Sequence, residues 1–170
     1  MTAAEGTFRA TPVPRAWEPG TVIVLVGPPG SGKSTWASAQ GPASSRVSLD
    51  LYRELLTDSE EDQGASQEAL AVRALILEGR LRRGRTTVCD STSIEPASRA
   101  DLLARARAHG RRVVAVLFDA PLQTCLARNA ARDRVVRESV IVAMHAALPS
   151  PEQLHAEGFD AVHHPGTQSS

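Results

Sequence analysis

The sequence predicts an α/β domain built on a doubly wound, mainly parallel sheet of five strands with helices on both faces. Three observations lead there. Short apolar runs alternate with helical patterns along the whole chain. Two of the runs, "VIVLV" and "VVAVLF", do not alternate with polar residues, as suits central strands covered on both sides. The first run passes directly into a glycine-rich loop that opens on helix formers.

The five expected strands cover residues 21–26, 46–49, 86–89, 113–118 and 159–163. The first helical pattern, 33–39, follows the glycine loop. In residues 66–83 the side chains of Leu70, Ala74, Leu77 and Leu81 recur on one face, and Gly84 is placed to end the helix. Residues 96–109 begin on Pro96, a favoured first-turn residue, and stop at Gly110. Patterns at 122–131 and 137–148 complete the set; in the latter Val140, Ile141, Met144 and Leu148 share a face and Pro149 stops it. Ligands of such sheets bind beyond the carboxyl ends of the strands, which directs attention to residues 27–34 and to the stretches after Leu49, Cys89 and Phe118.

A length of 170 residues suits one domain with a real core. Residues 1–20 mix Pro, Gly, Ala and Thr without period and read as a mobile leader that Trp17 could pin; 21–165 form the domain, and 166–170 read as a tail. Formal net charge is zero, so no global field draws the chain to nucleic acid or to a membrane, and such binding must come from local arginine clusters. Cys89 and Cys125 form no CxxC pair and suit buried thiols in a reducing cytoplasm. No apolar run reaches transmembrane length.

The string "GPPGSGKS" fits G-x-x-x-x-G-K-[ST], with Gly27, Gly32, Lys33 and Ser34 at the defining positions. A loop that wraps phosphate must turn its N–H groups inward and admit oxygen closely, which Gly27, Gly30 and Gly32 permit, while Pro28 and Pro29 stiffen it. The loop as a whole, from Gly27 through Ser31 to Thr35, is expected to hold the phosphates of ATP or another nucleoside triphosphate. Lys33 would reach the β- and γ-phosphates, and Ser34 would offer a hydroxyl to Mg²⁺.

Asp50 follows the second strand, with Arg53 one turn later. A carboxylate there can take a proton from an attacking hydroxyl, and the guanidinium can grip an anionic acceptor; Asp50 also fits a helix N-cap. Asp90 ends the third apolar run as the acidic residue of a Walker B strand does, beside Mg²⁺ or its waters, although "DSTS" equally suits a turn. Arg128, Arg132 and Arg134 follow the fourth strand. On a mobile lid around 128–138 they could close over the triphosphate; a solvated basic helix face is the alternative. His163 and His164 lack ligand-spaced partners and read as a strand end, the acidic run 58–62 reads as a solvated loop, and Trp36 reads as core.

"GPPGSGKSTWA", "VSLDLYRELL", "TTVCDST", "VLFDAPLQTCLARNAARDR" and "EGFDAVHH" fall in an order that resembles the kinase module of bacterial and phage polynucleotide 5′-kinases, especially that of RNA-repair kinase-phosphatases. The likeness spans most of residues 21–165. It implies an adenylate-kinase-like P-loop kinase fold and transfer of the γ-phosphate of ATP to a 5′-hydroxyl end of RNA or DNA. It further implies Lys33 and Ser34 on triphosphate and metal, Asp50 as general base, and Arg53 on the phosphate 3′ to the terminal nucleoside. Arg132 would be a lid arginine on the donor, with Arg128 beside it, and Asp90 and Thr92 would lie in a substrate-contacting loop. The chain departs from the likeness at Ser93, where relatives often carry Asn. A small-molecule hydroxyl kinase acting on a nucleoside, sugar or antibiotic uses the same loop and base, and a non-catalytic ATP-binding switch uses the loop alone. No N-K-x-D segment supports a GTPase.

Overall fold

The computed structural model describes residues 10–60 and 62–166. Six strands form one sheet: β1 (Thr11–Pro12), β2 (Val22–Val26), β3 (Arg46–Val47), β4 (Thr87–Cys89), β5 (Val113–Leu117) and β6 (Ala161–His164). Their order is β1-β6-β5-β2-β4-β3, and every pair is parallel. Seven helices connect or flank them: α1 (Lys33–Ser38), α2 (Leu49–Thr57), α3 (Ser66–Arg82), α4 (Pro96–Ala108), α5 (Leu122–Ala130), α6 (Glu138–Ala146) and α7 (Pro151–Glu157).

The two valine-rich runs are the central pair. β2 and β5 lie side by side in five-residue register, and every residue of both is buried. Successive side chains point to opposite faces. Val22, Val24 and Val26 join a core with Tyr52 of α2, Leu77 and Leu81 of α3, Leu102 and Leu103 of α4 and Leu154 of α7. Ile23 and Leu25 join a second core with Ala37 of α1 and Phe118. Burial of each such aliphatic side chain contributes about 2 kcal/mol, so the sheet is anchored at its centre and the carboxyl ends of β2 and β5 are firm mounting points. The chain leaves β2 toward β3 and leaves β5 toward β6, in opposite directions. The crevice between those two strand ends is the topological switch point.

Four expectations need correction. The sheet has a sixth strand: residues 11 and 12 pair with His163 and His164 at the sheet edge, and Val13 and Trp17 pack on the second core. Residues 10–20 are thus attached to the sheet rather than a mobile leader; residues 1–9 lie outside the described residues, as do 167–170 of the expected tail. The second strand ends at Val47, and Ser48 is the extended N-cap from which α2 starts, so Asp50 sits in the first turn of a helix and not at a strand end. The buried face of α3 carries Ala69, Leu77 and Leu81, whereas Leu70 is exposed. Finally, the expected set of helices lacks α7, which starts just after Pro149. Its capping box pairs Ser150 with Gln153, with Pro151 at the start. The other expected helices end within two residues of the observed bounds. Among the described residues no helix is long and apolar enough to cross a membrane.

Candidate active site

The glycine loop leaves β2 at the switch point, and its shape is set as much by neighbours as by any ligand. A Cβ at Gly27 would lie 2.8 Å from Phe118 and from the Ser31 hydroxyl; one at Gly30 would collide with the carbonyl oxygen of Cys125 on α5. Gly32 caps α1 at φ 100, in the left-handed region, and a Cβ there would lie 3.6 Å from Arg128 Nη1. The loop's first N–H, that of Gly27, donates to the carbonyl of Thr92 at 2.9 Å, tying it to the loop after β4. Ser31 Oγ is buried and has no hydrogen-bond partner. An orphaned hydroxyl in such a loop is the mark of a polar ligand to come.

Lys33 is buried, and its Nζ donates to the carbonyl of Pro28 at 2.8 Å. Burial lowers its pKa to about 8, Arg132 pushes the same way, and Asp90, Cys125 and Asp50 oppose the shift. Three expected site residues therefore act electrostatically on this one ammonium. Asp90, also buried, has the Ser34 hydroxyl near enough to favour its charged form. Burial pushes its carboxyl above the usual range against the pull of Arg46, Ser34 and Lys33. Among the described residues no group of three His, Cys, Asp or Glu side chains gathers to hold a metal. Ser34 and Asp90 are an oxygen-only pair at the loop, which fits a hard cation completed by phosphate oxygens and water.

Asp50 and Arg53 sit on the first turns of α2. Arg53 Nη1 donates to Asp50 Oδ1 at 2.5 Å, and its Nε donates to Ser66 Oγ at 3.3 Å. Arg134 Nη1 approaches the same Oδ1 at 3.8 Å. Arg128 projects from the end of α5 beside Gly32. Of the three arginines expected of the lid, Arg128 thus stands beside Gly32 and Arg134 approaches Asp50 on α2, while Arg132 is exposed and acts on Lys33 only through its charge. Thr92 contributes its carbonyl, as above, while its half-buried side chain has no assigned contact.

A cleft of about 820 Å³ opens beside the loop, lined by Thr35, Trp36, Gln40, Phe118, Asp119 and Arg128 among others. Trp36 stands edge-on to Phe118 and to Trp17, and Trp17 Nε1 donates to Gln40 Oε1 at 3.4 Å. Trp36 is half-buried, so it belongs both to the second core and to the cleft wall.

Two residues escaped the sequence reading. Arg46 Nε lies 3.7 Å from Asp90 Oδ2, and its Nη1 donates to Ser38. Arg99 is buried on α4; it donates to the carbonyls of Ser93 and Ile94 and meets both oxygens of Glu157 on α7. It thereby fixes the loop that follows Asp90, where Ser93 holds φ 47. No local signal marks either arginine, because their charged partners, Asp90 and Glu157, are distant in sequence. Burial raises the pKa of both thiols, that of Cys89 to about 12.

Residues 22–151 match the family model of the AAA domain, AAA_33. Solved structures with the same fold include a chain of the Pnkp1/Rnl/Hen1 RNA repair complex, at 21% identity and TM-score 0.65, covering 93% of this chain and 49% of that one. A candidate kinase from Chloroflexus aurantiacus matches at 15% identity and TM-score 0.63, covering 87% and 88%. AvrRxo1-ORF1:-ORF2 with ATP matches at 20% identity and TM-score 0.52, covering 81% and 47%. The chain spans about half the length of the RNA repair chain it matches. No curated protein matches the sequence.

Proposed function

Because the chain belongs to the AAA domain family and has the fold of P-loop kinases, we propose that it is an ATP-dependent kinase that phosphorylates the 5′-hydroxyl end of RNA or DNA. The observation that carries this reading is the placement of Asp50, already gripped by Arg53, within electrostatic reach of Lys33.

The glycine loop and Lys33 receive the β- and γ-phosphates, and Arg128 and Arg132 neutralise the charge that builds on the transferring group. Both arginine contacts of Asp50 fall on Oδ1, which leaves Oδ2 to take the proton of the acceptor hydroxyl. As that oxygen bonds the γ-phosphorus, the bond to the β–γ bridging oxygen breaks and ADP departs. Arg53 turns toward the phosphate on the 3′ side of the terminal nucleoside. Ser34 and Asp90 would hold Mg²⁺, which when bound neutralises the donor phosphates.

The fold shared with a chain of an RNA repair complex, together with a motif order that resembles polynucleotide 5′-kinases, supports the nucleic-acid acceptor. A second reading, a small-molecule hydroxyl kinase, is favoured by the zero net charge, since polyanion binders usually carry a basic excess. Incubation with γ-labelled ATP, Mg²⁺ and a panel of 5′-hydroxyl oligonucleotides, nucleosides and sugars separates the two. Label on oligonucleotide ends supports the first; label on small acceptors alone supports the second. Nucleotide binding with no acceptor labelled would leave a non-catalytic switch.

A further inference from the structure

Asn129 lies in the last turn of α5 and is 1% exposed. Its Nδ2 donates to the carbonyl of Val136 at 2.8 Å, and its Oδ1 accepts from the N–H of the same residue at 2.9 Å. A carboxamide matched in this way copies the edge of a neighbouring strand, giving one residue both of its main-chain bonds. A buried amide is tolerated only when so paired, and here the pairing spans seven residues. The main chain of Asn129 adds a third tie, accepting from the N–H of Arg132 at 3.2 Å. Inside the closed loop stand Arg132, which acts on Lys33, and Arg134, 3.8 Å from Asp50. The loop therefore reaches α2 through Arg134, and Arg132 lies within electrostatic range of Lys33.

We propose that Asn129 is a positioning residue that holds the 131–137 loop closed on the end of α5 in advance, so that Arg132 and Arg134 stand on a fixed bracket and not on a swinging lid. What the two arginines act upon rests on the kinase reading above; that Asn129 closes their loop does not. A preset bracket spares the ordering of two long side chains and their backbone at the moment of binding.

Amide hydrogen exchange on the nucleotide-free protein reads the closure directly. The Val136 N–H is expected to be protected in the wild type and to lose that protection in Asn129→Ala, with the β2 and β5 amides unchanged. A Val136 amide that exchanges freely in the wild type would overturn the proposal, whatever the enzyme phosphorylates. A double-mutant comparison then tests the link to the arginines. Asn129→Ala should weaken binding of a fluorescent ATP analogue by about tenfold in the wild-type background and add nothing where Arg132 and Arg134 are both alanine. Equal losses in the two backgrounds would make Asn129 merely structural and contradict the proposal. Should the alanine variant fail to fold, Asn129→Asp keeps the shape, turns the donor facing Val136 into an acceptor, and is read in the same two ways. A wild type that labels no acceptor defeats the kinase reading and leaves the exchange result standing.

Discussion

Arg53 holds Asp50 across one turn of α2, guanidinium to carboxylate at 2.5 Å. The pair sits on the first turns of the helix, where the N-terminal end of the dipole favours the carboxylate. A side chain 12% exposed grips one 55% exposed, so the arginine is the more buried, oriented partner and the carboxylate is the exposed one. Arg53→Ala is therefore expected to act mainly on the acceptor. KM for acceptors carrying a phosphate next to the hydroxyl should rise by about tenfold or more, since a charge-assisted contact is worth about 1.5–3 kcal/mol. KM for nucleosides without that phosphate should change little. Steady-state kinetics on matched acceptors checks this, and equal effects would remove Arg53 from the acceptor site.

Lys33 gives the site a pH dependence. Its folded pKa of about 8 lies below the unfolded value of 10.5. Between those values the unfolded chain binds more protons, so the ligand-free protein gains stability as pH rises through that window, by about 3 kcal/mol at most. A triphosphate needs the charged ammonium, so binding takes up a proton near pH 8. ATP affinity should fall by about tenfold from pH 7 to pH 9. Calorimetric titrations in buffers of different ionisation heat check both the slope and the proton uptake; a flat affinity with no uptake would contradict the assignment.

Arg99 should be among the costliest polar residues to remove. It makes four hydrogen bonds while 2% exposed, and its loss leaves two carbonyls and Glu157 without it. Arg99→Ala is expected to destabilise the fold by about 3 kcal/mol. Asp101→Ala, which breaks the exposed pair with Arg105, should cost about 0.5 kcal/mol. Urea unfolding of the two variants decides it.

The amino-terminal segment should matter to the cleft. Trp17 reaches the wall of the cleft through Trp36 and Gln40, and stands 5.4 Å from His163, ring to ring. Deletion of residues 1–20 is expected to lower stability by about 1–2 kcal/mol and to weaken ATP binding more than acceptor binding. Melting curves with and without ATP provide the check.

The parts of this architecture that were legible in the sequence are those encoded by neighbours along the chain. The glycine loop announces itself in eight residues, and the unbroken valine runs mark β2 and β5 as central. What stayed hidden depends on distant partners or on very short elements. β1 is two residues long, one of them proline, and exists because β6 offers an edge. The short strand β3 yields to α2 at Ser48, which turned Asp50 from a strand-end residue into a helical one. The periodicity of α3 contained two overlapping apolar stripes, and contact with the sheet chose Ala69 over Leu70. α7 did carry a signal, Ser150-Pro151 with Gln153 at capping-box spacing. Arg46, Arg99 and Asn129 take their meaning from partners on other elements or loops, which a single sequence does not display.

The central claim is that Asp50 deprotonates a hydroxyl in front of a phosphate held by Lys33. The most direct test measures ATP affinity and phosphate transfer side by side in wild type and Asp50→Ala. Transfer to the acceptor should fall by about 10²–10⁴-fold while the ATP dissociation constant stays within a factor of about three. Transfer at near wild-type rate, or loss of ATP binding along with it, would contradict the claim.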